Sequence, residues 1–201
     1  MQRSGLILRI IPYSDSARII KCLTDDEGLQ AYFFRSSKKS KSAGHIQTGS
    51  FISFLLNDRP SKLPSIKECR PDPNFAGAPL PIEASGVWLF TLELLNKSLE
   101  ENFHIPGLKR TVDRYYSFLA HDNVSTEPLT PLILISQQLG IWNRDNTLDA
   151  SCLNTIEDFE KMGMDIGLKQ SDRARDSFDE ALTQFKNHFS IYTLDSLDLI
   201  S

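Results

Sequence analysis

The sequence lacks any apolar run approaching the eighteen or so residues that a membrane-spanning helix needs. Stretches such as Phe33–Phe34 and Val87 to Phe90 fall far short of it. The apolar stretch Leu6 to Ile11 is too short for the core of a secretory signal, is broken by Arg9 and has no small-residue cleavage site behind it. No membrane partner is expected, and the reading is of a cytoplasmic protein. Cysteine is scarce: Cys22, Cys69 and Cys152 are odd in number and widely spaced, with no Cys-x-x-Cys pair. Neither a disulfide framework nor a zinc knuckle is indicated, and free thiols are expected. The four histidines, His45, His104, His121 and His188, have no ligand-like spacing. Gly-x-Ser-x-Gly, Walker and Gly-x-Gly-x-x-Gly patterns are missing as well. Asp25-Asp26-Glu27 is followed by glycine and reads as a solvated turn rather than a metal site. An acid and a base brought together from distant positions would leave no such trace. The expectation is nevertheless of a protein that is not an enzyme, with no metal or cofactor.

What is present is ordinary globular composition, with 40 % apolar and 24 % charged residues in 201, room for one large domain or two small ones. The net charge of -4 conceals an asymmetry. Residues 1–80 hold twelve Lys and Arg against seven acids, whereas residues 81–201 hold ten against nineteen. A basic front and an acidic back hint at nucleic-acid contact by the front.

Periodicity divides the chain in the same place. Leu6, Leu8 and Ile10 alternate with Ile7, Arg9 and Ile11, and a similar alternation runs from Ala17 to Leu23. Thr24 to Gly28 reads as a turn, and further strands are expected over Leu29 to Arg35, Phe51 to Leu56 and Leu63 to Cys69. Five short strands in about 70 residues suit a small closed barrel, because closure removes exposed edges. Pro71, Pro73, Pro79 and Pro81 then interrupt regular structure and mark the expected boundary between domains 1–80 and 81–201. The remainder reads as helix. Val87 to Leu99 is apolar over much of its circumference, Leu108 to Ala120 is amphipathic, and a third helix has Pro131 at its start and Gly140 at its end. A last helix, N-capped by Ser171, carries Phe178, Ala181, Leu182, Phe185 and Phe189 at helical spacing.

The most suggestive local feature is the loop Arg35-Ser36-Ser37-Lys38-Lys39-Ser40-Lys41-Ser42-Ala43-Gly44. Its cations can follow a phosphate backbone, although a solvated loop has the same composition. On the strand feeding it, Tyr32 and Phe34 share one face and Leu29, Ala31 and Phe33 the other. If the second set is core, Tyr32 faces out and can stack on bases; the other reading packs one face against the helical domain.

Longer motifs narrow the choice. Gly5-Leu6-Ile7-Leu8-Arg9-Ile10-Ile11-Pro12-Tyr13-Ser14-Asp15-Ser16, with Leu23-Thr24-Asp25-Asp26-Glu27-Gly28-Leu29 after it, resembles the opening of the RecO family of bacterial DNA repair proteins. Leu139-Gly140-Ile141, Phe185-Lys186-Asn187-His188-Phe189 and Leu194-Asp195-Ser196-Leu197-Asp198-Leu199-Ile200 are similar to later motifs of that family, in order. The details look like the form found in Bacteroidetes-type bacteria. The resemblance implies an α+β architecture, a five-stranded OB-fold barrel that binds DNA followed by an all-α domain that binds partners. It implies a recombination mediator, nucleoid-associated and without turnover, that binds single- and double-stranded DNA and anneals complementary strands. It would engage the C-terminal tail of single-stranded DNA-binding protein (SSB) and help RecR load RecA.

Carried over by position, Arg35, Lys38, Lys39 and Lys41 become DNA-contact candidates, with Arg9 and Arg18 after them; Tyr32 joins them from the reading of the strand faces. Two departures stand out. The four-cysteine zinc module of many members is reduced here to Cys152, and Leu129-Thr130-Pro131-Leu132 replaces a stretch that carries a basic residue of the SSB-tail pocket. That pocket is then absent or rebuilt from Arg110, Arg114 or Arg144. The alternative function is an adaptor for RecR and SSB that has lost direct DNA binding, and a nuclease ranks last.

Overall fold

β1 (Gln2–Ser14), β2 (Ala17–Thr24) and β3 (Gly28–Arg35) form an antiparallel meander. β4 (Phe51–Leu56) and β5 (Ser65–Pro71) complete a closed barrel with the order β1-β2-β3-β5-β4. The computed structural model describes residues 2–35, 46–58, 61–75, 79–121, 128–142, 147–148, 161–162, 169–170, 177–191 and 193–196. Closure needs two unlike seams. β1 runs antiparallel to β4 from Gln2↔Leu55 to Leu6↔Phe51, whereas β3 pairs in parallel with β5 through Phe33↔Ser65 and Phe34↔Ile66. β1 serves two neighbours because it is long and bends at irregularities between Ile7 and Arg9 and between Pro12 and Ser14. The result is the five-stranded closed barrel that the alternating pattern led one to expect, consistent with the OB-fold that the resemblance implied.

The interior is one cluster of Ile7, Ile20, Cys22, Tyr32, Phe34, Ile46, Ile52, Phe54, Ile66 and Cys69, with Ile10 and Leu56 packed against it. Tyr32 meets Phe54 edge to face at 5.0 Å. Cys22 and Cys69 are free thiols, and burial raises both, Cys69 to about 11, so neither is a nucleophile at neutral pH.

Two compact units divide the chain: Met1–Ala78 with Leu99–Arg110, and Pro79–Ser98 with Thr111–Ser201. Within the first unit, residues 99–110 strap the β2–β3 turn. Asn102 N–H donates to the Leu29 carbonyl at 2.9 Å, and His104 Nε2 lies 2.7 Å from the Asp25 carbonyl. Lys21 Nζ pairs with Glu101 at 2.6 Å, and the buried Lys109 ammonium stands 4.0 Å from the Asp25 carboxylate. Gly28 sits beneath the strap at φ +70°, where a Cβ would strike the Phe103 carbonyl oxygen and come within 2.9 Å of the His104 Cα.

The second unit is built on α1 (Ile82–Ser98), which starts directly after Pro79 and Pro81 and buries Val87, Phe90, Thr91, Leu94 and Leu95. α2 (Leu108–Leu119) begins in the first unit and continues into the second. α3 (Leu129–Gln138) is buried from Leu129 to Ser136 and packs against α1 and α4 (Ser177–Phe189). Pro131 fits its first turn because the N–H groups there have no intrahelical acceptor. A two-residue parallel pairing, β6 (Thr147–Leu148) with β7 (Lys169–Gln170), lies between α3 and α4 in the chain. The expected N-cap Ser171 lies outside the described residues.

The end of the chain is tied to α1 through Glu93. Its carboxylate accepts from Asp195 N–H at 2.8 Å, from Ser196 N–H at 2.7 Å and from the Ser196 hydroxyl. Lys97 pairs with Glu93 at 2.7 Å and donates to the Thr193 carbonyl. Burial alone would raise the Glu93 pKa, but Lys97 and the hydrogen bonds from Ser196 and Asp195 outweigh it and bring the group down to about 2.

Two predictions follow from these contacts. Gly28→Ala adds a collision with the strap to the cost of a left-handed alanine and is expected to destabilise by about 3 kcal/mol or more. Gly107→Ala, at φ +83° with nothing within 4 Å of the added Cβ, is expected to cost only about 1 kcal/mol; urea denaturation of the two variants measures the difference. Glu93→Gln is expected to cost about 2 kcal/mol at pH 7. Because folding lowers the Glu93 pKa, its stabilisation is complete above the ordinary glutamate value of 4.5 and fades as pH falls from there to about 2. Melting curves across that range should show the parent losing its advantage over the variant.

Candidate nucleic-acid interface

Alternation along the meander separates an inner from an outer face, and register aligns the outer residues in rows. Arg9, Lys21 and Ala31 form one row, and Ile11, Ile19 and Phe33 the next. The third pairs Ala17 with Arg35 beside the end of β1, where Tyr13 continues the outward set. Toward the other end of this face the row Leu6, Leu23 and Leu29 is buried. The face is therefore covered at one end and more open at the other, except at Ala17, which is buried. At the open end Tyr13 is 67 % exposed, with its ring edge to face against Phe33 at 5.7 Å. Ile11, Ile19 and Phe33 are half-buried around it.

The sequence candidates distribute unevenly over this surface. Arg9 and Arg35 flank the open patch, both exposed and, among the described residues, without an ion pair. The distance between their Cα atoms is about 16 Å, taking about 3.3 Å per residue along the strands and about 4.8 Å between them. Arg18 alternates with the inward set, opposite Phe34, and is exposed at the barrel rim instead of on the outer face. Lys38, Lys39 and Lys41 lie outside the described residues, as does Arg144. Arg110 and Arg114 are both exposed on α2, one turn apart.

Tyr32 requires a correction. It is fully buried inside the barrel and cannot stack on a base. Its hydroxyl donates to Glu27 Oε2 at 3.3 Å, and the same carboxylate is paired with Arg3, whose strand position faces inward beside Phe54 and Cys69. The Arg3 hydrogen bond chiefly lowers the Glu27 pKa, and Glu27 in turn raises that of Arg3. Burial, reinforced by the Glu27 charge, pushes the Tyr32 phenol up to about 12. These three side chains form a polar plug at one end of the apolar interior.

The outward aromatics are Phe33, on the opposite parity, and Tyr13. Arg9 and Lys21 carry the missed signal, since the register across the first hairpin puts two cations in line with the parity of Phe33. Exposed Lys67, two positions after the Phe33 partner Ser65, is a further cation that sequence reasoning did not select.

Tyr32→Phe should cost about 1 kcal/mol of folding stability through the lost hydrogen bond and leave nucleic-acid affinity unchanged. Chemical denaturation and oligonucleotide titration of the same preparation test both parts.

With this geometry in place, the comparisons with known proteins acquire a physical meaning. Residues 1–74, the span of the barrel strands, match the family described as "Recombination protein O N terminal". The chain is also similar to "DNA repair protein RecO" of Flavobacterium johnsoniae, at 23 % identity over 155 residues, which cover 74 % of this chain and 65 % of that protein. It thus spans just under two thirds of the length of this curated relative. The alignment is too long to be confined to the barrel. A matched barrel and a similarity that continues past it point the same way: the chain is similar to proteins of the RecO family.

Proposed function

We propose that this protein serves DNA repair and recombination as a mediator without enzymatic turnover, binding single- and double-stranded DNA through the outer face of its barrel. The observation that carries this reading is the placement on one open face of Arg9 and Arg35, which make no ion pair among the described residues, beside the root of a loop rich in lysine and serine. Guanidinium and ammonium groups in such a position displace the counterions condensed on a phosphate backbone. Annealing then needs no catalytic group. Neutralising two strands at once lowers their repulsion and raises their local concentration, while the bases supply the pairing energy. Exposed Arg114 on α2 offers a cation for the acidic tail of SSB. In this reading RecR and SSB are the protein partners, and RecA loading on SSB-coated DNA is the outcome.

Fluorescence anisotropy of a labelled single-stranded oligonucleotide across a salt series tests the proposal. Each contacted phosphate contributes about -0.7 to the slope of log affinity against log salt, so Arg9→Ala with Arg35→Ala should flatten the slope by about 1.4. An absence of binding at low salt would overturn the DNA-binding reading in favour of an adaptor that holds RecR or SSB.

A further inference from the structure

The open end of the outer face combines two features that serve different parts of a nucleic-acid strand. Its rim carries Arg9 and Arg35, with exposed Lys67 beyond Ser65 on the neighbouring strand. Between the arginines lies an apolar patch of Ile11, Ile19, Phe33 and Tyr13. Among the described residues, acids near this end of the barrel include Asp15 in the β1–β2 turn, exposed Asp58 next to Asn57, whose N–H donates to the Ser65 carbonyl, and Glu68, the partner of Leu55 on β5, while Glu101 is engaged by Lys21.

A tyrosine that is 67 % exposed gains little from its own fold, yet this ring rests edge to face against Phe33, a contact that favours one orientation. Phe33 is itself anchored, its N–H donating to the Pro64 carbonyl at 2.8 Å and its strand pairing with Ile19 and Ser65. An aromatic face held in place and open to solvent loses little conformational entropy when another flat ring settles on it.

Resting on the proposed DNA-binding role of this face, we infer that Tyr13, buttressed by Phe33, is a stacking platform for unpaired bases of single-stranded DNA, with Arg9 and Arg35 holding the phosphates on either side. The chemistry that suits this surface is a polyanion carrying exposed π-faces. A duplex offers the same phosphates with its bases already stacked on one another, so the platform adds affinity for single strands alone. The arginines set the salt dependence, and the tyrosine contributes a part of the affinity that salt leaves largely untouched.

The test compares three labelled probes on the full chain: a thymidine 20-mer, an abasic deoxyribose-phosphate 20-mer of equal charge, and a duplex of the same length. Tyr13→Ala is expected to weaken binding of the thymidine oligomer about ten-fold while leaving the abasic oligomer, the duplex and the salt slope unchanged. Tyr13→Trp should restore or exceed parental affinity for the thymidine oligomer only. Tyr13 is exposed enough that these substitutions spare the core, which does not hold for Phe33→Ala. Equal binding of the thymidine oligomer by the parent and Tyr13→Ala, with Arg35→Ala weakening all three probes, would overturn the platform and leave the DNA-binding face standing. Failure of the parent to bind any probe at low salt would overturn the platform and the face together.

Discussion

The parallel pairing of β3 with β5, through Phe33↔Ser65 and Phe34↔Ile66, is the contact on which the barrel depends. Every other seam joins antiparallel neighbours over longer registers, and without this short one β3 and β5 would each expose an edge of unpaired backbone groups. Closing it also divides two adjacent phenylalanines between two environments. Phe34 becomes part of the interior with Ile66, while Phe33 is turned outward beside Tyr13. The step that makes a core therefore also creates the surface to which function is assigned.

The five strands were legible because alternation and turns are local properties of a sequence. The parity of β3 was not. Its two sets, Tyr32 with Phe34 and Leu29 with Ala31 and Phe33, are both apolar enough to be core, and in the folded barrel both are covered in part. Leu29 is buried outside the barrel interior, where its carbonyl is bonded by Asn102 of the strap. The face on which Leu29 and Phe33 lie is thus buried like a core at one end and only half-covered at the other. Hydrophobicity alone cannot separate these roles; a register that places Arg9 and Lys21 on the Phe33 parity can.

Helix ends were more readable, since Pro131 and Gly140 act through backbone constraints that need no distant partner. The strap is the opposite case. Glu101, Asn102 and His104 follow a long helix and meet the barrel at Lys21, Leu29 and Asp25, and no local pattern announces such a return. Gly28 offered half of the information, because a turn accounts for its positive φ but not for the Phe103 carbonyl lying where a Cβ would be.

The tie between Glu93 and residues 195–196 joins positions 102 and 103 apart in the chain. During synthesis α1 leaves the ribosome long before residues 195–196 exist, so until then the Glu93 carboxylate relies on water and on Lys97 of its own helix. The barrel unit, whose most distant member is residue 110, can assemble in that interval. Translation order thus favours maturation of the barrel unit first, with the tie to Glu93 made only after residues 195–196 emerge.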